Sequence, residues 1–276
     1  MARNTRGDDY VLGTHDEEVT RLGLQHRVWR PRALDAWRRA RFRTGQVLID
    51  LGCGPGWASL DMAEIVGPAG RVVAIDRSRR FLDALERARV ERRLSQIEIL
   101  ELDLDAGTLP PLAADGAWAR WAFGFLRDPR RLLEAVAQAV QPGGTLVAHE
   151  YFDYSTWRVS PRSTEIEAFV QLVIRAWRDS GGEPDIGLDL PRWARELGFE
   201  VQSTRAIVDV ITPQDFAWEW PLAFVRSAVR RLQDLGYLTT EAGHDVLRAF
   251  ADAERQPSTV MVTPGVIELI AVRREP

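Results

Sequence analysis

Between Gln46 and Glu150 the chain alternates between two hydrophobic rhythms. Short unbroken apolar runs (Gln46 to Leu51, Arg71 to Asp76, Ile97 to Leu102, about Ala117 to Ala122, and Thr145 to Glu150) are separated by stretches whose apolar residues recur every three or four positions. The first rhythm fits strands buried on both faces and the second fits amphipathic helices, so the pattern predicts a parallel sheet with helices on each side. The predicted helices have visible punctuation. One runs from about Trp57 to Val66 and stops at Gly67-Pro68; one is capped by Ser78 and carries Phe81, Leu82, Leu85 and Ala88; one is capped by Asp128 and carries Leu132, Leu133, Val136 and Val140 before a Pro142-Gly143-Gly144 turn. Right-handed crossovers place all the strand C-termini along one edge, where the loops that follow them meet.

The flanks read differently. Thr14 and Glu17 form a capping box ahead of Val19, Leu22, His26 and Trp29, and Pro31 is expected to break that helix before a second one over about Ala33 to Arg41. Residues 155–188 read as an amphipathic helix ending at Gly181-Gly182. A short helix from Leu190 to Leu197 and a strand from Phe199 to Ile207 return to the sheet. Residues 212–257 form a second, mostly helical insertion, and Val266 to Arg274 is the closing strand. The expected organisation is therefore 1–42 as N-terminal lid helices, 43–154 as the core, 155–188 and 212–258 as cap insertions, with 189–211 and 259–276 completing the core.

Composition narrows the function. A net charge of -4 and a pI near 5.7 give no general attraction to phosphate backbones, so no nucleic acid is expected. Every basic residue is Arg, which excludes a lysine nucleophile or a P-loop lysine. A single cysteine, Cys53, rules out an intrachain disulfide and a cysteine zinc site. No Asp, Glu or His cluster after the fifth strand has metal spacing, so no metal is expected. No apolar run approaches about 18 residues and the first residues form no signal sequence, so the expectation is a cytoplasmic protein, monomer or homodimer, with no membrane segment.

The chemistry concentrates at Gly52, Gly54 and Gly56, which follow the first strand in VLIDLGCGPGWA. Such a cluster is kept where the backbone needs φ > 0 or a ligand must approach it. The spacing G-x-G-x-G, with Trp57 where a dinucleotide fingerprint has its third glycine, argues against a pyrophosphate, and there is no GK[ST] for a triphosphate. Asp76, ending the second strand, offers two acceptors to two vicinal ribose hydroxyls. Asp50, ending the first, suits an amine, and the turn's amides suit a carboxylate.

DLGCGPG followed by VVAIDRS, LDLDAGTLP and AVQPGGTLVAHE resembles the class I S-adenosylmethionine-dependent methyltransferases. The likeness covers residues 45–152, and YVLGTHDEEVTRLGLQ is more loosely similar to the lid helix of members that act on small molecules. It implies an α/β, Rossmann-like, doubly wound, mostly parallel seven-stranded sheet with helical lid insertions. It also implies S-adenosyl-L-methionine as cofactor and S-adenosyl-L-homocysteine as product. Carried over by position, Asp50, Gly52, Cys53, Gly54 and Gly56 surround the methionine moiety, Asp76 holds the ribose and Arg77 flanks the adenine. Either Asp103 with Leu104 or Asp105 with Ala106 meets the adenine edge; Asp103 is nearer the strand end. Ala119, Arg120 and Trp121 fall beside the sulfonium, and Tyr10 and Gln25 close over the methionine end.

Methyl transfer is an in-line displacement that needs a positioned nucleophile and little else, though an oxygen nucleophile needs a base. His149, Glu150 and Tyr151 end the fifth strand and are the candidates for that work, with His149 first because it titrates near neutrality. Because side chains alternate along a strand, one of the three is expected to look into the site. His15 reads as a solvated helix-start residue, His26 as packed and His244 as surface. Tyr151, Phe152, Tyr154, Trp157, Phe216, Trp218, Trp220 and Phe224 fall in segments roofing the strand ends; some are expected to face an apolar or aromatic acceptor and the rest to fill the cap's own core. Two other readings remain open: a protein that binds S-adenosylmethionine without transferring its methyl, and a nicotinamide-dependent oxidoreductase.

Overall fold

The computed structural model describes residues 16–275. A helix, α1 (Asp16–Arg39), leads into β1 (Val47–Leu51), and from there strands and helices alternate: α2 (Trp57–Val66), β2 (Arg71–Asp76), α3 (Arg79–Glu91), β3 (Ile97–Glu101), β4 (Ala114–Arg120), α4 (Pro129–Ala139) and β5 (Val140–Asp153). Then follow β6 (Arg158–Ser160), α5 (Thr164–Asp179), α6 (Leu190–Glu196), β7 (Phe199–Ile207), β8 (Val210–Ile211), α7 (Glu219–Asp234), α8 (Thr240–Arg255), β9 (Val260–Val262) and β10 (Gly265–Arg273). The main sheet has the order β3-β2-β1-β4-β5-β10-β7. The pairs among β1 to β5 are parallel, and β10 runs antiparallel to both its neighbours. This is the doubly wound, Rossmann-like sheet, and the strand order reverses beside β1, where such sheets open a crevice at their carboxyl ends.

Two apolar layers flank the sheet. Leu48, Val72, Ala74, Trp118 and Val147 pack against α1, α2 and α3, while Ile49, Val73, Ala117, Leu146 and Leu269 pack against α4 and α6. A third cluster, built on Trp157, Phe169, Trp218, Val225 and Phe250, is the core of a cap formed by α5, α7 and α8.

Three local expectations change. Pro31 does not break the first helix: α1 runs through it. The lost N–H and the ring's clash with the preceding turn are outweighed because both halves are anchored, Val28 and Trp29 in the cap core and Ala33, Ala36 and Trp37 against the sheet. The helix expected over 155–188 is confined to α5, with Ser163 accepting from the Ile166 N–H as its cap. The Pro142-Gly143-Gly144 turn lies inside β5 as a bulge, where Ala114 pairs with Val140 but Gly116 pairs with Thr145. A small sheet, β6-β9-β8, was invisible in the sequence because strands of two or three residues are too short to show a period.

Candidate active site

A cavity of about 410 Å³ opens at the carboxyl ends of β1, β2, β3 and β4, under the cap. The glycine turn forms one side of it. Gly56 takes φ 82° as it caps α2, and a Cβ there would lie 2.3 Å from the Leu85 side chain, so that glycine is fixed by packing as well as by conformation. Gly54 takes φ 55° and lines the cavity; a Cβ on it would meet nothing nearer than a Leu22 methyl at 3.8 Å. Its backbone is thus bare toward the cavity, as close approach of a ligand requires.

Asp76 is tied to this turn. Its two carboxylate oxygens accept the N–H of Gly54 at 2.9 Å and of Ser78 at 2.8 Å. Burial raises its pKa, and these two N–H donors oppose the rise. Asp50 is 2% exposed and accepts the Ser59 hydroxyl at 2.5 Å. Burial pushes it up to about 6, with Ser59 and the Arg120 charge acting the other way. After β3, Asp103 accepts the Asp105 N–H in a tight turn, and Asp105 accepts the Arg127 N–H. Both acids line the cavity, with Leu104 between them.

Arg120, ending β4, brings a cation to the same space. Desolvation lowers its pKa to about 10, while Asp50 opposes the change. Its Nη2 lies 3.2 Å from His26 Nδ1, and His26 Nε2 lies 3.0 Å from Asp61, which also accepts from Arg30 at 2.7 Å. A guanidinium only donates, so His26 Nδ1 accepts and its Nε2–H donates to Asp61. That tautomer is the neutral imidazole, and burial lowers the His26 pKa in agreement. On α1, Glu18 grips Arg21 through two contacts of 2.6 and 2.8 Å, and Arg21 donates to Gln25 at 2.9 Å. The spacing of 18, 21 and 25 keeps the three on one helical face, and Arg21 and Gln25 line the cavity.

The remaining wall is aromatic. Trp121, with φ 50°, stacks between Tyr151 at 5.2 Å and Trp220 at 5.6 Å, and Trp29 meets it edge-on at 5.1 Å. A left-handed tryptophan costs on the order of 1–3 kcal/mol and persists only where its surroundings fix it, as this stack does. Of the eight cap aromatics singled out in the sequence, Tyr151, Tyr154 and Phe224 line the cavity; Trp157, Trp218 and Trp220 are buried in the cap, Phe152 lies half-buried against Gly265 and Phe216 is exposed.

The cavity brings together Gln25, Asp50, Gly52, Cys53, Gly54, Asp76, Arg77, Asp103, Leu104, Arg120 and Tyr151. Gly56 stands behind the lining, against Leu85. Cys53 is a buried free thiol, and desolvation pushes its pKa well up, which disfavours the thiolate. Tyr10, Thr14 and His15 lie outside the described residues. His149 is not placed as a base: it is fully buried, off the cavity lining, 3.3 Å from Glu268 and edge-on to Trp118. Alternation along β5 turns it to the α1 side of the sheet, where burial keeps it neutral. Glu150 is sealed on the opposite face and accepts the N–H groups of Ala122 at 2.7 Å, Phe123 at 3.0 Å and Gly124 at 3.4 Å. It holds the loop after β4 rather than facing the cavity. Arg21, Phe125 and Trp177 were not anticipated as lining residues; only the i, i+4 spacing of Arg21 to Gln25 signalled one of them. Among the described residues no group of three or more His, Cys, Asp or Glu is arranged to hold a metal ion, and no helix is long and apolar enough to cross a membrane.

A doubly wound sheet of this strand order, with a glycine turn after β1 and an acid ending β2, has the class I methyltransferase architecture. Residues 49–148 match the family model described as a methyltransferase domain, the same stretch that carries the sequence resemblance to the class I S-adenosylmethionine-dependent methyltransferases. It is 28% identical over 143 residues to the demethylmenaquinone methyltransferase of Oceanobacillus iheyensis, covering 51% of this chain and 58% of that protein. The chain spans about half the length of the curated relatives it matches. Its fold is similar to that of the [4+2]-cyclase SpnF (TM-score 0.58, 21% identity, 88% of this chain and 81% of that one). It is also similar to Haemonchus contortus phosphoethanolamine N-methyltransferase 2 in complex with S-adenosyl-L-methionine (TM-score 0.53, 17% identity, 89% of this chain and 53% of that one).

Proposed function

We propose that the protein transfers a methyl group from S-adenosyl-L-methionine to an apolar or aromatic small-molecule acceptor in the cytoplasm. The observation that carries this reading is the convergence of Asp50, Gly54, Asp76, Asp103 and Arg120 on one cavity. The residues fit the cofactor: Gly54 presents bare backbone, Asp76 is the ribose partner, Arg77 and Asp103 with Leu104 flank the adenine, and Asp50 answers the amine. Gln25 and Arg21 close the methionine end from α1. When bound, the cofactor supplies an electrophilic methyl on a sulfonium.

The chain's own part is positioning and exclusion of water. Tyr151, Trp121, Tyr154 and Phe224 present apolar faces to the acceptor, and the cap covers the strand ends. With His149 and Glu150 turned away, Tyr151 is the member of the predicted trio that remains at the acceptor, where it orients the nucleophile. The relative named a demethylmenaquinone methyltransferase supports an aromatic small-molecule acceptor.

Calorimetric titration with S-adenosylhomocysteine tests the cofactor reading. Binding by it and none by NAD is expected; the reverse overturns the assignment in favour of a dehydrogenase. Release of S-adenosylhomocysteine from S-adenosylmethionine across a panel of phenols, quinols and amines then separates transfer from binding alone.

A further inference from the structure

The cap holds a second, apolar space beside the main cavity. Phe125, Trp177 and Phe224 line both the cavity and this smaller crevice of about 40 Å³ between α5 and α7. The shared wall is ordered: Phe125 and Trp177 stack at 4.4 Å, and the Trp177 indole N–H donates to the Gly124 carbonyl at 2.8 Å. Beyond it the crevice is lined by Val173 and Ala176 of α5, by Ala228, Arg231 and Leu232 of α7, and by Leu235 just past the end of α7. Leu235 is 45% exposed and marks the outer end. The accessible lining is wholly apolar. Arg231 contributes only the apolar stem of its side chain to this surface, so the crevice suits an apolar occupant.

We infer that the methyl acceptor is a two-part molecule. Its polar, reactive head sits in the main cavity, and an apolar extension of a few methylenes passes the Phe125–Trp177–Phe224 wall into the α5–α7 crevice, toward Leu235. The shared wall points to the occupant: Phe125, Trp177 and Phe224 stand between the two spaces, so a tail that reaches the crevice past them belongs to a molecule whose head the cavity holds. The inference rests on the methyltransferase reading for the identity of the head, and the cap helices supply the tail's site.

The test uses 4-alkylphenols from methyl to octyl, titrated calorimetrically into the full chain loaded with S-adenosylhomocysteine. Affinity is expected to rise about fourfold per methylene over the first few carbons, then level off as the chain reaches solvent at Leu235. Ala228→Leu fills the crevice without touching the main cavity. It is expected to flatten the rise while leaving the affinities for 4-methylphenol and S-adenosylhomocysteine unchanged. Leu235→Gln, at an exposed position that tolerates a polar side chain, is expected to lower only the gain of the longest chains. A chain-length dependence that is absent, or that is the same in both variants as in the wild type, overturns the inference. Failure to bind S-adenosylhomocysteine is a separate result: it removes the cofactor reading, and the alkyl series without it still reports on the crevice.

Discussion

The carboxylate of Asp76 accepts the backbone N–H of Gly54 at 2.9 Å, so the acid ending β2 and the glycine turn ending β1 are one unit. Removing the side chain both deletes the proposed ribose partner and frees the turn. Asp76→Ala is expected to weaken S-adenosylhomocysteine binding by about a hundredfold, since two hydrogen bonds to a charged group are worth about 1.5 kcal/mol or more each. Asp76→Asn keeps one acceptor oxygen and is expected to lose less. Calorimetry on the two variants checks this, and equal affinities for Asp76→Ala and the wild type would remove Asp76 from the site.

Asp50 gives the cofactor affinity a pH dependence. Burial holds its pKa near 6, and the cationic amine assigned to it prefers the ionised form. The proton must leave before the amine binds well. Affinity for S-adenosylhomocysteine is therefore expected to fall about tenfold for each pH unit below 6 and to be level above 7. Asp50→Asn is expected to bind more weakly and without that slope. The same titration in wild type and variant is the check; a slope that survives in Asp50→Asn belongs to another group.

Much of this geometry was legible in the sequence. The strand–helix alternation, the caps at Ser78 and Asp128, and the places of Asp50 and Asp76 at strand ends follow from local patterns, because each depends on neighbours within a few residues, whereas Asp103 and Arg120 were placed by the family resemblance. What was not legible depends on distant packing. Pro31 sits within α1 because two separate cores hold its halves. His149 faces Glu268, which lies 119 residues further along the chain. Trp177 reaches the cavity wall only because α5 folds back over the loop after β4. The cap aromatics show the limit most plainly: at the same helical spacing, Phe224 lines the cavity while Trp218 and Trp220 are buried in the cap.

His149 offers a test of placement against chemistry. A base would impose its titration on turnover, whereas a buried histidine paired with Glu268 affects stability alone. His149→Phe is expected to lower the melting temperature and leave the shape of the kcat/KM pH profile unchanged. A profile that loses its acidic limb in the variant would return His149 to the catalytic role.

Glu150 is expected to be the most costly of the cavity's supporting residues. It is fully buried and its Oε1 accepts both the Ala122 and Phe123 N–H groups, while Oε2 receives the longer contact from Gly124. Glu150→Ala leaves three buried N–H donors without a partner. At about 1–3 kcal/mol for each, a loss of several kcal/mol is expected, or on the order of 10 °C in melting temperature. Glu150→Gln retains a carbonyl oxygen for the two short bonds and is expected to lose far less. It should also change the pH response. Desolvation raises the Glu150 pKa to about 7, so its contribution is full below the ordinary carboxylate range and is lost as pH rises through 7. Thermal melts from pH 5 to pH 8 should show the wild type weakening over that interval more than Glu150→Gln does. Parallel curves for the two proteins would mean that Glu150 does not titrate there.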